Sequence, residues 1–354
     1  MQKTNQGQNE IIFLSAITCL FLILVHVLEM FFFGEKQSLN EISSITYQLS
    51  QFGIAMFAVI VGIFLFRQSG NRKKEKRIGS FEVSKIVLLF VLWSLFYLVL
   101  TKVAMNVEVF TGWKGSLLNM AMGNSSYHLY IISVVLQFLL FLPVLKLVQN
   151  RVGWSLLLFI FEMIHYYLLS PSITAGNELV AQDGLLLKWI FFFLFGGILA
   201  SHWEYVQCFL KKFNQLGFVT LIGLIGFEGL YYLMEGSIYQ GEWSLMIMVP
   251  VITISLLGIY HSVRKVVLLD IFFHSIGENA LGIYFVYPLI IFIYSSILPD
   301  AVWQKEYIVL VFSLVLGSSV FVSKATRLLL IKVEGIKNPV VKTKMMNRQE
   351  LRMN

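Results

Sequence analysis

Long apolar runs alternate with short polar segments along the chain from residue 11 to residue 331. An α-helix rises about 1.5 Å per residue, so about 20 predominantly apolar residues cross the hydrocarbon core of a bilayer. Ten runs of about this length each predict one membrane-spanning helix. They comprise residues 11–33, 50–66, 83–101, 127–148, 152–170, 185–201, 216–233, 244–262, 279–298 and 307–331. The pattern therefore predicts an all-α, polytopic membrane protein with about ten transmembrane helices.

The second run is apolar on all faces, which is typical of a helix buried by protein or lipid. Gly53 and Gly62 interrupt it with positions that carry no side chain. Small residues allow helix backbones to approach closely within a membrane. We therefore expect this helix to pack tightly against its neighbours.

Composition supports the membrane assignment. The chain is 57% hydrophobic and 13% charged, whereas a soluble domain carries about 25% charged residues. The formal net charge of +7 is carried by residues between and after the apolar runs, where basic residues set orientation and meet lipid headgroups. No nucleic-acid partner is predicted. The two cysteines, Cys19 and Cys208, form neither a disulfide framework nor a metal-binding spacing.

The basic residues predict the orientation of the chain. If the N-terminus is cytoplasmic, 22 of the 27 lysines and arginines fall in inner segments. The five outer ones are Lys36, Lys102, Lys114, Lys188 and Lys305. Basic residues concentrate on the cytoplasmic side of membrane proteins, so both termini are predicted there. The predicted organisation is a cytoplasmic N-terminus (1–10), a transmembrane domain (11–331) and a basic cytoplasmic tail (332–354).

The first apolar run contains an ionisable pair. His26 lies about two-thirds of the way across it, and Glu29 follows three residues later on the same helical face. Ionisable residues are costly inside a membrane, so such a pair is by default a candidate functional site. The other interpretation is a histidine that packs between helices and bonds to a backbone carbonyl.

A second pair of the same kind lies in the fifth run, where His165 follows Glu162 by three residues. His128, at the start of the fourth run, lies near the predicted outer interface, where solvation alone can explain it. With His26, these histidines are predicted at similar depth and can line one outward-opening cavity. Glu-x-x-His pairs also occur in metal-binding bundles. The two pairs here differ too much in sequence, so we predict no metal.

The ninth run brings Tyr287 and Pro288 together. We expect Tyr287 to face the interior of the helix bundle. The other interpretation is an aromatic side chain that only packs between helices.

A basic segment, RQSGNRKKEKR, follows the second run and is predicted to be a cytoplasmic loop. One interpretation is an anchor on anionic lipid that fixes orientation. The other is a docking surface for a phosphorylated cytosolic donor. The candidate donor-binding residues are Arg72, Lys73, Lys74, Lys76 and Lys85.

Several of these features together resemble the acyltransferase-3 family of bacterial membrane acyltransferases, over about residues 10 to 331. The first run carries the family's histidine at His26, and Phe57 with residues 61–63 fits the family's second span. The basic segment leading to Lys85 fits the family's loop before the third span. The segments WIFFFLFGGILASHWEYVQCFLKK and SIGENALGIYFVYPLI resemble family members of biofilm poly-N-acetylglucosamine operons, described as O-succinyltransferases and as polymer exporters.

The resemblance implies acyl transfer from a cytosolic acyl-CoA, acetyl-CoA or succinyl-CoA, to a cell-surface polysaccharide. It implies no bound cofactor, a bacterial cytoplasmic membrane location and a glycosyltransferase of the same pathway as a partner. A neutral imidazole can take the proton of a hydroxyl during attack on a thioester, and a carboxylate can orient the ring. The candidate catalytic residues are His26, Glu29, Glu162, His165 and Tyr287.

Two positions depart from the family pattern. Ser15 stands where the family has arginine, and Tyr287 stands where it has histidine before proline. Eleven helical residues make about three turns and rise about 16 Å, so Ser15 and His26 share one stripe. Ser15 therefore removes a fixed positive charge from the inner, donor end of this stripe. The alternative function is a polysaccharide exporter without acyl-transfer chemistry, because intramembrane acids and prolines also suit a transport path.

Overall fold

The computed structural model is helical throughout the part of the chain that it describes. This part comprises residues 2–33, 41–67, 72–105, 115, 122–123, 126, 128–148, 153–169, 184–212, 214–235 and 242–337. Side chains at several helix ends, and all those from residue 72 to residue 86, lie outside the described part. No strand occurs within these described ranges, which confirms the predicted all-α class.

Twelve α-helices are described, and we number them α1 to α12. They are α1 (Gln2–Phe33), α2 (Glu41–Arg67), α3 (Arg72–Met105), α4 (Tyr130–Val148), α5 (Gly153–Leu169), α6 (Ile190–Ser201), α7 (Trp203–Lys212), α8 (Asn214–Glu235), α9 (Glu242–Val263), α10 (Val267–Gly277), α11 (Ala280–Ile297) and α12 (Ile308–Lys337). Short 3₁₀ turns precede α6 and α12, at Leu186–Lys188, Asp300–Trp303 and Lys305–Tyr307.

Five helices are long and apolar enough to cross a membrane, by length and composition. Their apolar stretches are Gly7–Phe32, Ile45–Phe66, Leu245–Val263, Ala280–Ile297 and Lys305–Leu328. The pair α7 and α8, bent by 85° at its junction, adds a sixth if the two form one broken span. Shorter apolar helices occupy the remaining predicted spans, in α3, α4, α5 and α6. The chain is thus a membrane protein, while the count of ten spans and the cytoplasmic termini stay predictions.

Two helical segments differ from the sequence prediction. The basic residues 72–77 were expected in a loop, but α3 already begins at Arg72. Arginine, lysine and glutamate are good helix formers, so this segment can extend the apolar helix that follows it. The helix α10 was not predicted; its 11 residues are too few to cross a bilayer.

Helix α1 is central to the bundle, since it packs against α2, α9, α10, α11 and α12. Helix α2 in turn packs extensively on α6. At that crossing, a Cβ atom on Gly62 would collide with the backbone of Phe193, and one on Gly196 with the backbone of Val59. A Cβ atom on Gly53 would similarly meet the side chain of Phe21 on α1. The predicted close packing around Gly53 and Gly62 is therefore confirmed.

Candidate functional site

Helix α1 positions the His26–Glu29 pair one helical turn apart. The Nδ1 atom of His26 lies 2.7 Å from Oε2 of Glu29, with the two side chains 12% and 37% exposed. A carboxylate accepts hydrogen bonds only, so Nδ1 carries the proton that it donates. In the neutral ring, the lone pair then lies on Nε2. His26 is thus hydrogen-bonded to a carboxylate, and its catalytic role stays a prediction.

Tyr47 on α2 completes the hydrogen bonding of this carboxylate. Its hydroxyl donates to Oε1 of Glu29 over 3.2 Å, while Oε2 serves His26. Each carboxylate oxygen therefore has a partner, and the carboxylate is held between two helices. Tyr47 could not be identified from the sequence, because its contact with Glu29 depends on how α1 and α2 pack.

Tyr287 on α11 lies directly against the pair. It is 1% exposed, and its ring stacks on the His26 ring with centroids 5.6 Å apart and an interplanar angle of 16°. Tyr287 also contacts His128, whose ring centroid is 5.9 Å away. Tyr287 therefore faces the bundle interior as expected, and it contacts both imidazole rings.

His128 differs from the sequence expectation. It was expected near the solvated interface, but it is 3% exposed. Its ring packs edge-on against Tyr97 and Tyr284, with centroids at 4.9 Å and 5.5 Å, and its Nδ1 lies 3.0 Å from Oγ of Ser126. The hydroxyl of Tyr284 donates to the backbone carbonyl of His128. Aromatic residues from α3 and α11, distant in sequence, thus cover the ring.

These side chains enclose a small pocket between α1, α2, α4 and α11. Its polar lining comprises His26, His128, Tyr130, Tyr284 and Tyr287. The pocket has room for about one water molecule. We name it the two-histidine pocket. It is an aromatic enclosure with an imidazole base on one wall.

Glu162 and His165 lie elsewhere, on α5. His165 is buried, Glu162 is partly exposed, and neither lines the two-histidine pocket. Within the described residues, no hydrogen bond or ion pair joins the two, and Nδ1 of His165 has no hydrogen-bond partner. The expectation that three histidines line one cavity therefore holds for His26 and His128 and is wrong for His165. Helix α5 packs on α6 and its preceding turn, away from α1.

The positions of the side chains that were predicted to bind the donor are not described. The backbone of Arg72, Lys73, Lys74, Lys76 and Lys85 lies on α3, and their side chains are outside the described part of the chain. Ser15 on α1 is partly buried and donates its hydroxyl to the backbone carbonyl of Ile11 over 2.9 Å. Its hydroxyl thus serves its own helix.

A second carboxylate–histidine contact, which the sequence did not indicate, lies at the N-terminal end of α1. Glu10 is 1% exposed, and its Oε1 lies 3.6 Å from Nε2 of His261 on α9. Its Oε2 accepts a hydrogen bond from Gln207 on α7. Glu10 thereby ties α1 to α7 and α9, at the opposite end from His26. Across the part of the chain described, no group of three histidine, cysteine, aspartate or glutamate side chains is arranged to hold a metal.

Fold and site together define an all-helical membrane protein with a carboxylate-bonded imidazole beside an aromatic pocket. A family model described as an acyltransferase domain matches residues 9–323. The chain belongs to this acyltransferase-3 family, which supports membrane acyl transfer of groups other than aminoacyl groups. No curated protein and no solved structure matches the chain.

Proposed function

We propose that this protein is an O-acyltransferase of the bacterial cytoplasmic membrane that moves an acyl group from a cytosolic acyl-CoA to a cell-surface polysaccharide. Family membership supports the reaction class. The observation that carries the proposal at this site is the hydrogen bond of 2.7 Å between His26 and Glu29, beside the two-histidine pocket. It gives the chain a base suited to acyl transfer.

His26 acts as the general base in this proposal. A hydroxyl is a weak nucleophile at neutral pH, and transfer of its proton to a positioned imidazole during attack typically accelerates such a step by about 10²–10⁴-fold. The Nε2 atom is the ring nitrogen turned away from Glu29, so it takes the proton. Glu29 holds the ring and stabilises the imidazolium that forms, and Tyr47 holds Glu29. Tyr287 supports the flat face of the ring.

The donor and the acceptor follow from the resemblance to members of poly-N-acetylglucosamine operons. The donor is acetyl-CoA or succinyl-CoA, and the acceptor is a polymer that a glycosyltransferase of the same pathway supplies. In this proposal, the basic residues at the start of α3 bind the phosphates of the donor. The motive is that Ser15 carries no charge where the family has arginine. Anionic groups are attracted to clusters of lysine and arginine.

The test is the ester content of polymer purified from cells that carry His26→Ala, with total released polymer measured in parallel. We expect normal amounts of polymer with only trace ester, because loss of a general base costs about 10²–10⁴-fold in rate. His26→Gln should fail in the same way, since an amide does not take a proton at neutral pH.

An exporter gives the opposite result. With export as the function, His26→Ala lowers the amount of polymer outside the cell and leaves the ester per sugar residue unchanged. Unchanged ester content at normal protein level would refute the enzymatic role of His26. Wild-type polymer without any ester would refute the proposed function as a whole.

A further inference from the structure

His128 shares the two-histidine pocket with His26, and nothing in the family match or in the proposed reaction gives it a role. Resting on the proposed function, we propose that His128 donates the hydrogen bond that stabilises the oxyanion formed when the acceptor hydroxyl attacks the thioester. Tyr287 contacts both rings, and all three side chains line the same pocket.

The hydrogen-bond partners of the two rings differ in a way that suits two different tasks. At His26 the partner of Nδ1 is a carboxylate, which only accepts, so in the neutral ring Nε2 is an acceptor. At His128 the partner of Nδ1 is the Ser126 hydroxyl, at 3.0 Å. When this hydroxyl donates, Nδ1 of His128 is the acceptor and the proton resides on Nε2. One ring then presents a base and the other a neutral N–H donor.

The position of His128 is fixed before any substrate binds. The Tyr284 hydroxyl donates to its backbone carbonyl, and Tyr97 and Tyr284 pack against its ring. Tyr97 is itself anchored by a hydrogen bond of 2.9 Å from its hydroxyl to the backbone carbonyl of Phe285. A donor that is fixed in a buried, aromatic site stabilises developing charge more than a donor in water does.

The reaction balances with two histidines and no further group. The acceptor oxygen bonds to the thioester carbon while Nε2 of His26 takes the hydroxyl proton. The carbonyl π pair moves onto the oxygen, which accepts a hydrogen bond from Nε2 of His128. When that pair re-forms the carbonyl, the carbon–sulfur bond breaks, and the coenzyme A thiolate receives the proton from His26. His128 keeps its own proton throughout.

The test compares two substitutions at two positions in purified protein, with acetyl-CoA or succinyl-CoA and an N-acetylglucosamine oligosaccharide as acceptor. His128→Leu has no donor, and His128→Gln has an amide N–H near the place of Nε2. We expect Leu to lower kcat by about 10²–10³-fold, with the KM of the donor unchanged, because the bond forms only in the transition state. Gln at position 128 should stay within about tenfold of wild type. At position 26, both Leu and Gln should lower kcat by about 10²–10⁴-fold.

Ser126 provides a milder test that leaves the pocket walls intact. Ser126→Ala removes the hydroxyl that sets the ring tautomer and should lower kcat, whereas Ser126→Thr should restore it. Tyr294→Phe is the matched control for loss of a hydroxyl hydrogen bond, because Tyr294 bonds Ser318 at 2.6 Å outside the pocket. It should keep wild-type kcat.

Three outcomes would overturn the proposal. Wild-type kcat in folded His128→Leu would show that the ring contributes nothing to turnover. Equal losses in His128→Gln and His128→Leu, at normal protein level, would show a proton acceptor rather than a donor. Equal kcat in Ser126→Ala and Ser126→Thr would refute the tautomer argument. None of these three outcomes refutes the proposed function if His26→Ala still removes the ester. An inactive wild-type protein would refute both the proposed function and the proposed role of His128.

Discussion

At the scale of single residues, the hydrogen bonds of Glu29 decide which nitrogen of His26 faces the pocket. The carboxylate binds Nδ1 and leaves Nε2 as the acceptor. The Tyr47 hydroxyl holds the second carboxylate oxygen at 3.2 Å. This arrangement limits rotation of the carboxylate, and through it of the ring. Tyr47 is thus a positioning residue that acts through Glu29.

Tyr47→Phe should therefore lower turnover modestly, by about 2- to 10-fold, since one hydrogen bond contributes about 0.5–1.5 kcal/mol. Glu29→Gln should cost more, because it removes the charge that stabilises the imidazolium. The measurement is kcat with acyl-CoA at saturating acceptor. Tyr294→Phe again serves as the control, since it removes a comparable hydroxyl outside the two-histidine pocket. Equal kcat in both tyrosine variants would contradict the positioning role of Tyr47.

The site was partly predictable at this scale. His26 and Glu29 were found because three residues on one helix necessarily share a face. Tyr47 was missed, and the burial of His128 was not expected, because their contacts join segments 18 and 156 residues apart in the chain. The same spacing on α5 led to the wrong expectation that His165 lines the cavity with His26. Glu162 and His165 share a face there, but that helix packs on α6, away from α1.

At the scale of helices, α2 and α6 cross closely because each helix places a glycine against the backbone of the other. Gly62 lies against the backbone of Phe193, and Gly196 lies against that of Val59. Because the obstructing atoms are backbone, a side chain there has no flexible neighbour to displace. The crossing supports the pocket indirectly, since α2 also supplies Tyr47 and Ile54.

Gly62→Ala should therefore destabilise the protein by about 1–3 kcal/mol, the usual range for overpacking. Gly223→Ala is the matched control, because a Cβ atom there meets nothing within 4 Å. It should be neutral or stabilising, since alanine favours a helix over glycine by about 1 kcal/mol. The measurement is the unfolding midpoint of detergent-purified protein. A Gly62→Ala variant as stable as Gly223→Ala would contradict the close crossing.

Helices were predictable where the apolar run was long. Runs around residues 11–33, 50–66, 244–262, 279–298 and 307–331 all correspond to helices that are long enough to span. The shorter apolar runs also form helices, but these helices are too short to show by length alone whether they cross the membrane. The break between α7 and α8, with its bend of 85°, has no counterpart in the apolar pattern, since hydropathy reports burial and not direction.

At the scale of the whole molecule, two carboxylate–histidine contacts occupy opposite ends of α1. Glu10 and His26 are 16 residues apart, which is about 24 Å along a helix. The hydrocarbon core is about 30 Å thick, so the two contacts lie near opposite faces of the membrane. With the N-terminus in the cytoplasm, as the basic residues predict, the two-histidine pocket lies in the outer half of the membrane.

The orientation can be tested with cysteines on either side of α11. Lys265 precedes α10 and Gln304 lies between α11 and α12, and both positions are exposed. One span, α11, separates them, because α10 is too short to cross. The background is Cys208→Ser, since Cys208 is exposed while Cys19 is buried.

In intact cells, a membrane-impermeant maleimide should modify Gln304→Cys and spare Lys265→Cys. After permeabilisation it should modify both. The physical reason is the charge asymmetry, because 22 of the 27 basic residues, Lys265 among them, fall on the predicted inner side. Modification of Lys265→Cys but not Gln304→Cys in intact cells would show that the chain has the opposite orientation. His26 would then lie near the cytoplasm, on the same side of the membrane as the proposed acyl-CoA donor.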